Sequence, residues 1–74
     1  MQPAPPLFDA LTDHASEGEI TAAAEALADD ARSRAFCRET LAMLAENYQR
    51  EAATLTGARA TALRRAAHLI LTEG

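Results

Sequence analysis

Seventy-four residues allow one domain, and a domain that short buries a limited share of its surface. Of its 36 apolar residues 19 are alanines, one is the only cysteine, and none is a valine, which excludes an internal disulfide and disfavours strands. No apolar run approaches the roughly 18–20 residues that span a bilayer, and a net charge of −4 argues against a concentrated positive field for nucleic acid.

The charge is unevenly placed. Residues 1–31 carry seven carboxylates and no Lys or Arg, whereas residues 32–74 carry all seven arginines against four glutamates. An acidic helix and a basic helix in one short chain can pair with each other or present opposite signs to something else.

Residues 1–5 read as a flexible Pro-rich lead, and residues 6–74 as a single helical domain. Pro6 suits the first turn of a short helix ending near His14, with Leu7, Phe8 and Leu11 on one face. Ser16-Glu17-Gly18-Glu19 has the form of a capping box, which predicts a second helix starting at Glu17. Its apolar stripe is Ile20, Ala23, Ala24, Leu27 and Ala31.

The polar stretch from Asp29 to Arg34 leaves two alternatives. Either Ser33 is an N-cap and the chain turns there, or one helix of roughly 38 residues runs on to Thr56. The turn would lay the acidic helix antiparallel to the next, with Asp29, Asp30, Arg32 and Arg34 near the corner. Cys37, Leu41, Leu44, Tyr48, Ala52 and Leu55 mark the next stripe, with Cys37 as a small buried hydrophobe. Glu46 precedes Arg50 in the favourable order for an i,i+4 ion pair. Gly57 suits the residue after a helix end, and it or Thr56 can cap a last helix over residues 58–72. There Leu63, Ala66, Ala67 and Ile70 form the main stripe, widened by Leu69 and Leu71. The fold class expected is all-α: a small three-helix bundle or helical hairpin with a short extra N-terminal helix.

Catalytic and metal chemistry find little to stand on. His14 and His68 lack ligand spacing to each other, to Cys37 or to a carboxylate cluster, and there is no Gly-rich phosphate loop. The chain is expected to be neither an enzyme nor a holder of a metal or cofactor. A helix-turn-helix over residues 20–38 fails because Asp29 and Asp30 fall where the tight turn wants glycine and an apolar residue.

What remains is surface. Phe36 and Met43, seven residues apart, flank the stripe of the third helix and suggest a second apolar seam for another polypeptide. Leu7, Phe8 and Leu11 read either as a docking segment or as a lid on the chain's own core. Arg34 and Arg38 would supply the charged rim, or phosphate contacts if the chain were a nucleic-acid-associated regulator. Glu17, Glu25, Asp29 and Asp30 form an acidic face, either a solvated surface or a mimic of phosphates. In size and helical character the chain is similar to small secretion-system chaperones and to small phage-encoded inhibitors of host defence, including anti-CRISPR proteins. That likeness covers shape only; the residues themselves, with a thin core and an over-apolar third helix, read as a cytoplasmic, non-catalytic adaptor, chaperone-like subunit or inhibitor whose partner is another protein or a second copy of itself.

Overall fold

The computed structural model describes residues 8, 10–34 and 37–73. Every regular element among them is helical: α1 (Glu17–Arg34), α2 (Arg38–Ala52) and α3 (Ala58–Glu73). The Pro-rich lead, Leu7 and Phe36 lie outside the described residues.

α1 begins as the capping box dictates. The Glu19 amide donates to Ser16 Oγ at 3.2 Å, and the Ser16 amide donates to Glu19 Oε1 at 3.2 Å. Two amide donors that the helix leaves unpaired are thereby satisfied. Residues 10–16 make turns, so a helix running to His14 does not form there.

The break after α1 comes later than Ser33. That residue sits in the last turn of α1, where its hydroxyl donates to the Asp30 carbonyl at 2.8 Å. The N-cap of α2 is Cys37, in extended backbone (φ −147°, ψ 166°), and it is exposed rather than buried. The uninterrupted 38-residue helix is therefore not what this chain forms. α2 in turn stops at Ala52, and the Thr54 hydroxyl bonds back to the Glu51 carbonyl at 2.7 Å. Leu55 falls beyond that end instead of continuing the stripe. Gly57, at φ +77°, then serves as N-cap of α3, its carbonyl accepting from the Thr61 amide at 3.2 Å. A side chain there would be strained by the backbone conformation.

The core is built along α3. Ile20 and Ala23 of α1 pack with Ala58 and Ala62, while Ala28 and Ala31 pack with Ala67 and Ile70, so α1 and α3 run in the same sense. Ala52 meets Ala60 and Leu63, while Ala45 meets Ala67 and Ile70, so α2 runs against them. α1 and α2 touch each other little. The acidic helix thus takes the last helix as its packing partner, not the helix that follows it.

Among the described residues, eleven of the sixteen buried apolar ones are alanines, leaving Leu11, Ile20, Leu27, Leu63 and Ile70 as the bulky ones. Alanine faces let helix axes approach closely, and dense van der Waals contact then stands in for transfer free energy. Two outside side chains complete this core. Leu11 is 6% exposed, and half-buried Phe8 packs against both clusters at the α1–α3 and α2–α3 seams.

Candidate interaction surface

The outward face of α2 carries the clearest anomaly. Residues 41, 45, 48 and 52 turn inward at helical spacing, which puts Met43 at the opposite pole. Met43 is 64% exposed. Glu39, Glu46 and Arg50 lie four residues before, three after and seven after it, so they share its face, and all are exposed. The Glu46–Arg50 ion pair expected from the spacing is not formed. Met43 is thus an apolar side chain among solvated charges of both signs.

A second apolar exposure lies between α2 and α3. Leu71, expected to widen the inward stripe of α3, is instead 54% exposed. It lines a shallow cleft of about 270 Å³ with Arg38, Leu41, Ala42 and Ile70. Arg38 thus stands at an apolar edge. Arg34 does not join it freely: its Nε pairs with Asp30 Oδ2 at 3.1 Å within α1.

A larger groove of about 420 Å³ runs between α1 and α3, lined by Thr21, Ala24, Glu25, Arg64, Arg65, His68 and Leu69. Part of its rim is already internally matched. Arg65 Nη2 lies 2.8 Å from Glu17 Oε2, and Arg65 Nη1 donates to Thr21 Oγ1 at 3.2 Å.

The acidic face is damped in the same way. Glu17 is paired with Arg65, Asp29 with Arg32 at 3.2 Å, and Asp30 with Arg34. Glu25 alone of the four named carboxylates has no ion pair among the described residues. Such surface pairs contribute about 0–1 kcal/mol each, but they cancel the dense negative charge that phosphate mimicry needs. Phe8 and Leu11 face the chain's own core, as the lid alternative requires, and Arg59 stands over the Phe8 ring at 6.0 Å.

Among the described residues, two ionisable side chains are perturbed. Hydrogen bonding with Thr40, side chain first and backbone second, holds the Cys37 thiol below its ordinary pKa despite some desolvation; Sγ lies 3.2 Å from Thr40 Oγ1. Burial against the core clusters pushes the Tyr48 phenol up, the Asp30 carboxylate adds to this, and Arg34 opposes it. Among the described residues no three His, Cys, Asp or Glu side chains gather where they could hold a metal ion, and no helix is long and apolar enough to cross a membrane.

Sequence reasoning missed Leu71 and Leu55 as exposed side chains. The signal for Leu71 was weak: four residues after Ala67, it falls at the edge of the α3 stripe and not away from it. No family model, curated protein or solved structure matches this chain.

Proposed function

We propose that the chain is a non-catalytic protein–protein interaction module of the cytoplasm, a small adaptor, chaperone-like subunit or stoichiometric inhibitor. It works as a three-helix bundle that buries the outward face of α2 on a second polypeptide. The observation that carries this reading is Met43, 64% exposed in a chain whose core is mostly alanine. A bulky side chain placed outside, in a chain with few bulky side chains inside, supports an external partner. Glu39, Glu46 and Arg50 would set orientation and encounter rate more than affinity. The partner is another protein or a second copy of the chain.

The test is co-purification from the source cell with tagged wild type and Met43→Asp, both checked for helix content by circular dichroism. A polypeptide held in stoichiometric amount by the wild type, and lost from a folded Met43→Asp, supports the reading. Equal recovery with both chains, or a wild type that is monomeric and holds nothing, refutes it.

A further inference from the structure

The groove between α1 and α3 holds charge that the fold leaves unpaired. Thr21 and Glu25 stand one turn apart on α1, as Arg64 and His68 do on α3. The two helices run in the same sense, so these turns line the two sides of one trough of about 420 Å³. Its inner lining is apolar, with Ala24 buried and Leu69 half-buried. Arg65 bridges the helices, its Nη2 lying 2.8 Å from Glu17 Oε2 and its Nη1 donating to Thr21 Oγ1 at 3.2 Å. Glu25, Arg64 and His68 are different. All three are exposed, and among the described residues their side chains make no ion pair or hydrogen bond. Glu25 and Arg64 thus line one groove without closing on each other.

We propose that this groove binds a small organic monoanion, a carboxylate carrying a short apolar chain. The chain lies on Ala24 and Leu69. The carboxylate accepts a two-pronged hydrogen bond from the Arg64 guanidinium, with His68 one turn on as a further donor. Small-molecule clefts enclose roughly 300–1,000 Å³, and this one lies toward the lower end, which suits a short chain. The charges select the head group. Arg65 is engaged by Glu17, so Arg64 is the guanidinium left to neutralise an incoming charge. Glu25 on the other helix repels a second one, which disfavours doubly charged phosphates and peptides with clustered carboxylates. Met43, on the outer pole of α2, takes no part, so the groove is independent of the proposed protein contact.

The experiment titrates octanoate into the full chain and follows backbone amide shifts by NMR, with octanol as the uncharged probe. Saturable shifts centre on Thr21, Glu25, Arg64 and His68 and spare Met43 and Leu71. Arg64→Gln weakens octanoate about tenfold and leaves octanol unchanged. Glu25→Gln removes the repulsion and tightens octanoate about threefold. Both substitutions fall on exposed side chains without partners, and circular dichroism checks that the variants fold. No saturable shift with octanoate, shifts centred on Met43 or Leu71, or equal affinity in wild type and Arg64→Gln overturns the proposal. Should Arg64→Gln not fold, Glu25→Gln decides: octanoate affinity that stays the same or falls overturns it. Any of these failures leaves the Met43 co-purification result untouched, so the two readings fall separately.

Discussion

Ser16, Gly57 and Cys37 each do at a chain corner what only their chemistry allows. Ser16 is half of a reciprocal cap, and Ser16→Ala should lower stability by about 1 kcal/mol in urea unfolding. Gly57 holds φ +77°, and a methyl there would sit 2.8 Å from Asp13 Oδ1. Gly57→Ala should therefore cost more than about 1 kcal/mol, and adding Asp13→Ala should recover only the contact share, because the backbone strain remains. Cys37 is exposed with its thiol pKa lowered chiefly by the Thr40 hydroxyl. Thr40→Ala should raise that pKa, leave less thiolate near neutral pH and slow alkylation by iodoacetamide, measured as a pH–rate profile. The cap at Ser16 was legible because a capping box is a local motif with fixed spacing. Cys37 was not: a cysteine in an apolar rhythm reads as core, and only the position of the helix break makes it an exposed cap.

Among the elements, α3 organises the rest. Its buried positions at 58, 60, 62, 63, 66, 67 and 70 wrap about half the helix, enough for two neighbours. That width was present in the alanine pattern, yet the charge asymmetry drew attention to α1 against the helix after it. Charge is a poor guide to packing, since exposed ion pairs contribute little and buried methyl contacts decide which helices meet. Ile70 and Leu63 are the largest fully buried side chains, and Ile70→Ala should cost about 2–5 kcal/mol by leaving a cavity where α1, α2 and α3 converge. Ala66→Leu is the opposite trial. The close approach at that position leaves no room, so overpacking should cost about 1–3 kcal/mol in the same unfolding assay. The break between α1 and α2 was legible as a polar stretch without a bulky apolar residue. Its position was not, because Ser33 can satisfy itself inside a helix by bonding the Asp30 carbonyl as readily as by capping a new one.

For the molecule as a whole, the all-α class followed from composition, and the thin core followed from the alanine count. Among the described residues the core holds eleven alanines and five bulky side chains, which gives a domain of this length little reserve. Under the proposed function, association through the outward face of α2 would offset this, with Met43 at the centre of the contact. Met43 was singled out in the sequence by its spacing from Phe36, which lies outside the described residues. The identity of a partner was not legible, since a contact patch specifies chemistry and not a name. The most direct trial is photo-crosslinking in the source cell. A photoreactive residue replaces Met43 in one chain and the exposed Glu25 of α1 in another. The account predicts one discrete adduct, to a partner protein or to a second copy, from position 43 and not from position 25. Equal or absent adducts at both positions, in chains shown to be folded, would contradict it.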